Sequence, residues 1–210
     1  HEIRNPLVSA GGFARRLLSS MRADDPNRSK VEIILKEVGR LESILRTILN
    51  YIQPLELELE THDLNTTVRE VLDVLQAKPR CEGFEVRLDL HPNLSWARYD
   101  VGHVRRVIET LVRNALHQMP ERSTLSVQTS CDSESVALTL GYPVRHLSTD
   151  DIEHFFYPFT TFQTVCDTVD LPLCKIIVNK HHGVIEARMT EPKALVITMT
   201  LPLEAGSFKY

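Results

Sequence analysis

Two stretches of this sequence repeat apolar residues at alternating intervals of four and three, and no other feature constrains the fold as strongly. In residues 1–22, Ile3, Leu7, Ala10, Ala14, Leu17 and Met21 fall on one stripe of a helix. Ile34, Val38, Leu41, Leu45, Ile48 and Ile52 do the same in a second stretch, which stops at Gln53-Pro54 because proline cannot continue a helix. Between them lies the polar turn Arg22-Ala23-Asp24-Asp25-Pro26-Asn27-Arg28, and then Ser29 and Glu32 at the spacing of a capping box. A connection this short predicts an antiparallel hairpin. Two helices with such seams cannot bury them fully against each other, so the pattern predicts a homodimer in which two hairpins form a four-helix bundle.

At about 100° per residue, His1 and Asn5 lie one turn apart and face away from that seam, with Glu2 flanking them. An imidazole and a carboxamide stand there side by side in water. Val8, Gly12, Arg15, Arg16 and Ser19 fall on the same side of the helix, and Gly12 would let a partner's backbone come close. This is a candidate docking surface; an ordinary solvated helix face is the alternative. A chain that starts inside a helical pattern, on a histidine, reads as part of something longer.

From Pro54 the periodicity changes. Leu55, Leu57 and Leu59 alternate with glutamates as a strand does, and a second domain is expected over residues 54–210, after a hairpin domain over 1–53. Asp63 or Asn65 can cap a helix through Leu75. A strand is expected over Phe84 to Leu90, and a longer helix after Asp100 with Val104, Val107, Ile108, Leu111 and Ala115 on one face. Strands follow near 125–129 and 136–140, short helices near 150–156 and 171–181, and closing strands near 184–189 and 195–201. The expected fold is therefore a helical hairpin followed by an α+β sandwich, a mostly antiparallel mixed sheet with helices on one face. Trp96 and the phenylalanines near residue 156 are expected in the core, and His103, His146 and His154 on the surface.

Composition narrows the function. Among 210 residues, 24 Lys+Arg against 28 Asp+Glu leave a net charge of −4, too little positive surface for a nucleic-acid binder. No stretch has the roughly 20 apolar residues that cross a bilayer, and the expected location is the cytoplasm, as a soluble protein or the cytoplasmic part of a longer sensor. The four cysteines show no C-x-x-C spacing and read as reduced. The adjacent His181 and His182 would point in different directions from a helix, which speaks against a metal there.

The run His1-Glu2-Ile3-Arg4-Asn5-Pro6-Leu7 at the head of a seamed hairpin, followed by a mixed domain, resembles the catalytic core of two-component sensor histidine kinases. Leu111-Val112-Arg113-Asn114-Ala115-Leu116 is similar to that family's asparagine box, and Phe155-Phe156-Tyr157-Pro158-Phe159-Thr160-Thr161 to its phenylalanine box. The resemblance implies a dimerisation and phosphotransfer domain, then an ATP-binding domain of the gyrase, Hsp90 and MutL type. It makes His1 the phosphoacceptor, Glu2 the group that holds or takes the proton of the other ring nitrogen, and Asn5 the residue that orients a water during dephosphorylation of a receiver domain. Asn114 would hold Mg²⁺ through its amide oxygen if nucleotide binds, and His117 would approach the phosphates. Val8, Gly12, Arg15 and Arg16 would lie where the receiver domain of a response regulator lodges.

The glycine boxes depart from the family. The aspartate that accepts from the adenine amino group falls on Tyr142, within Tyr142-Pro143-Val144-Arg145-His146, at a cost of about 1 to 3 kcal/mol for the lost contact. The second box falls on Cys166-Asp167-Thr168-Val169-Asp170-Leu171-Pro172, where no glycine remains to let backbone N–H groups press on phosphates. Together these changes predict an ATP affinity lower by a factor on the order of 10³. Three readings result. One is a phosphotransferase or receiver phosphatase that uses His1, Glu2 and Asn5, with Mg-ATP binding weak or lost. A second is an autophosphorylating kinase with a divergent pocket, and a third is a pseudokinase scaffold that regulates a partner kinase.

Overall fold

In a computed structural model of the chain, residues 2–22, 24–52, 55–76, 84–145, 147–157, 170–190 and 193–204 are described, and the chain divides into two compact units, His1–Gln53 and Pro54–Tyr210. His1, His146, residues 158–161 of the phenylalanine box and residues 166–169 of the second glycine box lie outside the described residues.

The first unit is a hairpin of α1 (Arg4–Ser20) and α2 (Arg28–Ile52). Pro6 sits in the first turn of α1, where its missing N–H would have had no helical partner. The helices are antiparallel: Arg28 Nη1 donates to the Leu18 carbonyl at the end of α1 (3.4 Å), and Gly11 lies against Val38. A Cβ on Gly11 would stand 3.2 Å from Val38 Cγ1, so the absent side chain sets how near the helices come. This contact corrects the expected single seam. The stripe withdrawn from water within the hairpin runs through Leu7, Gly11, Ala14 and Leu18, opposite Val31, Leu35, Val38 and Leu45. Ile3, Leu17, Ile34 and Leu41 remain 63%, 51%, 51% and 47% exposed, forming a second apolar stripe beside the first. The capping box at Ser29 and Glu32 is also corrected. The helix starts two residues earlier, at Arg28 and not Lys30: the Asp25 carboxylate accepts from the Asn27 N–H (2.8 Å), the Asn27 carbonyl accepts from the N–H groups of Lys30 and Val31, and Glu32 pairs with Arg28 (3.3 Å).

The second unit runs β1 (Glu60–His62), α3 (Leu64–Gln76), β2 (Glu85–Asp89), β3 (Ala97–Tyr99), α4 (Val101–Gln118), β4 (Thr124–Cys131), β5 (Ser135–Pro143), α5 (Thr149–Glu153), α6 (Asp170–Lys180), β6 (Val184–Thr190) and β7 (Ala194–Pro202). Five strands form one sheet in the order β2-β4-β5-β7-β6, in which β2 and β4 run parallel and the other neighbours antiparallel. Its inward face carries Leu125 and Val127 of β4, Leu138, Leu140 and Tyr142 of β5, Leu195, Ile197 and Met199 of β7, all buried. The alternate positions, among them Thr139 and Thr198, are half-buried, so helices cover one face only. The alternation of Leu55, Leu57 and Leu59 survives in burial, but only Glu60–His62 pairs as a strand, with β3, which the sequence reading had not distinguished. In β3, Ala97 and Tyr99 turn inward, which puts Trp96 outside; it is 65% exposed and not in the core. No described helix is long and apolar enough to cross a membrane.

Polar contacts around Asp63, Tyr99 and Asp100 hold these elements in place. Asp63 caps α3, accepting from the Asn65 N–H and the Thr66 hydroxyl (2.9 Å each), and the buried Tyr99 hydroxyl meets Thr67 Oγ1 at 2.8 Å. Asp100 caps α4 with Oδ1 on the His103 N–H (2.9 Å) and accepts from the Glu58 N–H with Oδ2 (3.0 Å). Its own N–H donates to Nε2 of the buried His181 (3.0 Å), whose Nδ1 donates to the Ile177 carbonyl (2.7 Å). His181 is therefore a neutral link between α4 and α6, with both ring nitrogens used. His103, expected on the surface, is half-buried with Nδ1 3.0 Å from Asp100 Oδ1.

Beyond α6 the chain turns in a Schellman motif, in which His182 N donates to the Asn179 carbonyl and Gly183 N to that of Val178. His182 occupies the left-handed position (φ 58°), whereas Gly183 is needed for space: a Cβ would lie 2.2 Å from the Thr200 carbonyl. Replacing His182 by glycine is expected to raise stability by about 1 kcal/mol, while Gly183→Ala should lower it by about 3 kcal/mol or more, both read in urea unfolding. Burial holds the His181 pKa below its ordinary 6.5, outweighing the Ile177 and Asp100 contacts that raise it. The unfolded chain therefore takes up this proton first, and stability present above pH 6.5 should decline as pH falls below it. Melting temperatures between pH 7.5 and 5.5 should fall in the parent chain, and this part of the fall should vanish in His181→Gln.

Candidate functional site

The first unit presents its candidate residues on one exposed side of α1. Glu2 stands in the turn before the helix and Asn5 in its first turn, both exposed. Val8, Arg15 and Arg16 follow, also exposed, with Gly12 half-buried among them and open space where its Cβ would be. Arg16 is held rather than free: its Nε donates to the Gly12 carbonyl (3.4 Å), its guanidinium lies 4.9 Å over the Phe13 ring centroid, and Ser19 Oγ donates to its carbonyl (2.8 Å). Phe13 is 67% exposed and had not been singled out from sequence. Its signal was there, as a large aromatic at a position that neither seam explains.

In the second unit the Asp100 cap fixes where α4 begins, and hence which side of it meets the sheet. The Asp100 carboxyl is desolvated, which raises its pKa, but the N–H groups of His103 and Glu58 and the His103 ring outweigh this and hold it below the usual carboxylate range. Fourteen residues along, Asn114 is buried on the face that also carries Leu111 and Ala115. Opposite it, Tyr142 points inward from β5 and is only 1% exposed. Its hydroxyl donates to Asn114 Oδ1 at 3.4 Å and to Gln118 Oε1 at 3.5 Å, one proton shared between two amide oxygens one helical turn apart. Burial pushes the phenol pKa up, so it stays a donor. His117 is exposed and is not brought to this cluster.

The segments matching the glycine boxes are ordinary secondary structure where they are described. Tyr142 and Pro143 pair with Leu195 and Ala194 of β7, and the Val144 N–H continues the pairing to the Lys193 carbonyl (3.2 Å). Asp170, Leu171 and Pro172 form the first turn of α6. Of the phenylalanine box, Phe155 and Phe156 are buried edge to face (5.1 Å), and the Tyr157 ring carries Lys175 Nζ 4.8 Å from its centroid. Among the described residues no group of three or more His, Cys, Asp or Glu side chains could hold a metal ion.

Comparison with known proteins agrees with this geometry. Residues 1–54 match the His Kinase A (phospho-acceptor) domain, and residues 99–205 match the histidine kinase-, DNA gyrase B-, and HSP90-like ATPase family. The sensor histidine kinase ZraS of Salmonella typhimurium is 26% identical over 206 residues, 98% of this chain and 44% of ZraS. Sporulation kinase D of Bacillus subtilis is 26% identical over 209 residues, 98% of this chain and 41% of that kinase. The chain thus spans less than half the length of these relatives. Among solved structures, histidine kinase ThkA in complex with response regulator protein TrrA superposes with a TM-score of 0.71 at 25% identity, covering 99% of this chain and 60% of that one. An antiparallel hairpin with an H-E-x-x-N-P head, a mixed sheet covered by helices on one face and these matches lead to one conclusion: the chain belongs to the sensor histidine kinase family and carries its catalytic core, a phospho-acceptor hairpin followed by a domain of the ATPase fold.

Proposed function

We propose that this protein is a phosphotransfer and phosphatase member of its family, which exchanges a phosphoryl group between His1 and the receiver domain of a response regulator and has weak or no affinity for Mg-ATP. The observation that carries the reading is the Tyr142 hydroxyl on Asn114 Oδ1. That amide oxygen is the atom the family resemblance assigns to Mg²⁺, and here it already accepts a hydrogen bond from a buried phenol. Where the family resemblance places a carboxylate that accepts from adenine, the strand continues through Tyr142 and Pro143 and presents a buried phenol that donates, which supports weak or lost nucleotide binding.

In this reading an imidazole nitrogen of His1 attacks the phosphorus of a receiver's aspartyl phosphate. An N–P bond forms, the O–P bond breaks, and the carboxylate leaves. Glu2 takes the proton from the other ring nitrogen as positive charge develops there. Asn5, one turn on, offers a donor and an acceptor without charge, which suits holding a water in line for hydrolysis of the receiver. The receiver lodges on Val8, Gly12, Arg15 and Arg16, on the side of α1 that carries Asn5, and the response regulator bound to the similar ThkA supports a partner of this kind. The exposed stripe of Ile3, Leu17, Ile34 and Leu41 is the surface that a second hairpin covers in a homodimer.

Calorimetric titration with Mg-ATP is expected to give no heat up to millimolar concentration. Saturable micromolar binding that is lost in Asn114→Ala would overturn the reading and restore an ATP-dependent kinase. Incubated with a phosphorylated receiver domain, the chain should acquire acid-labile label that is absent in His1→Gln. In Asn5→Ala, receiver dephosphorylation should slow by roughly tenfold or more while labelling persists. No transfer in the unaltered chain would instead favour a scaffold. In sedimentation, Leu17→Glu with Ile34→Glu should shift the protein from dimer to monomer.

A further inference from the structure

The stretch that leads from the hairpin into the second unit is held by few bonds. Residues 55–59 form no strand; Leu55 packs against the core, Leu57 and Leu59 are half-buried, and Glu56 and Glu58 stand in water. The Glu58 N–H donates to Asp100 Oδ2 (3.0 Å), and the Leu59 carbonyl accepts from Arg98 Nη2 (3.4 Å). The shorter bond thus ends on a residue that also caps α4 and whose own N–H donates to His181 Nε2 (3.0 Å).

That last bond requires a neutral ring. His181 Nδ1 already donates to the Ile177 carbonyl (2.7 Å), so an added proton sits on Nε2, where it meets the Asp100 N–H donor to donor. The pair has to part, and the imidazolium is drawn to the Asp100 carboxylate, whose two oxygens are engaged by the N–H groups of His103 and Glu58. The Glu58 bond yields first, because it comes from a segment outside any strand, whereas the His103 bond starts a helix. Asp100 favours charge on the ring, while His103 at the head of α4 and His182 beside it oppose charge. Of the strands against α6, β6 carries Glu186 and Arg188 on the bare face of the sheet, opposite Thr198 and Val196, and β7 carries no charged residue.

We propose that Asp100 and His181 form an acid-opened latch, which holds residues 55–59 on the second unit at neutral pH and frees them when His181 Nε2 takes a proton. Freed, these residues lengthen the tether after Gln53 by roughly 17 Å. A longer tether lowers the effective concentration of the second unit at the hairpin. The latch concerns this connection alone and holds whether or not nucleotide binds.

Amide hydrogen exchange of the full chain, corrected for the intrinsic rate at each pH, reads the latch at the Glu58 N–H itself. The freed ring has its ordinary pKa of 6.5, above that of the buried ring, so opening is favoured as pH falls. Between pH 7.5 and 5.5 protection of Glu58 should drop by about tenfold. Low urea should leave this exchange unchanged, as for a local opening, while it speeds exchange in the β5 to β7 ladder. Constant protection across this pH range would overturn the proposal, as would Glu58 exchange that follows urea in step with the ladder. In His181→Gln, whose amide still offers an acceptor and a donor, the pH dependence should vanish, and its persistence would also overturn the latch. If that variant does not fold, ring-nitrogen shifts of the parent chain decide. Loss of Glu58 protection should track the titration of His181, and tracking that of His103 instead would sink the idea.

Discussion

Asp100 ties together the parts of the second unit that matter most for its candidate site. One carboxylate oxygen starts α4, the other receives the N–H of Glu58 from the segment that follows the hairpin, and the backbone N–H reaches His181 beyond α6. A helix that starts elsewhere would present different residues to the sheet. Because α4 begins at Val101, Val104, Ile108, Leu111 and Ala115 face the core, and Asn114 and Gln118 arrive opposite β5. The buried carboxylate is tolerated because donors satisfy it, and the buried imidazole because it is neutral and uses both nitrogens.

The same accounting explains Tyr142. A buried Asn needs a partner for its amide oxygen, and an unmatched one would cost about 1 to 3 kcal/mol. The phenol provides the partner and fills the volume behind it. Tyr142 is thereby part of the core, and Phe155 and Phe156, at the described end of the phenylalanine box, are packed in the same way. The hairpin has the opposite character. Its candidate residues stay in water on a face that no contact within the unit requires, and its second apolar stripe is uncovered.

Much of this was legible in the residues. The alternating spacings located both helices of the hairpin, Asp100 announced α4, and the H-E-x-x-N-P run with the asparagine box pointed to the family. The misses share a cause. The single seam split in two because Gly11, which the spacing pattern passes over, lets α2 approach on the neighbouring stripe. Trp96 was assigned to the core by residue type, whereas β3 pairs with β1 in a register that turns Ala97 and Tyr99 inward. Ser29 lost the cap to Asp25 and Asn27 because the proline turn closes two residues earlier.

The sequence by itself determined the helices and the longer strands, the family and the absence of the expected glycines, since these follow from periodicity and residue identity along the chain. Only the tertiary structure decided that the Tyr142 hydroxyl reaches Asn114 and Gln118, that His181 is a neutral link to Asp100, and that one apolar stripe of the hairpin is left open. Periodicity states which residues share a face. What that face meets depends on contacts between segments far apart in the chain, and those are set by packing volume and by the need to satisfy every buried polar atom.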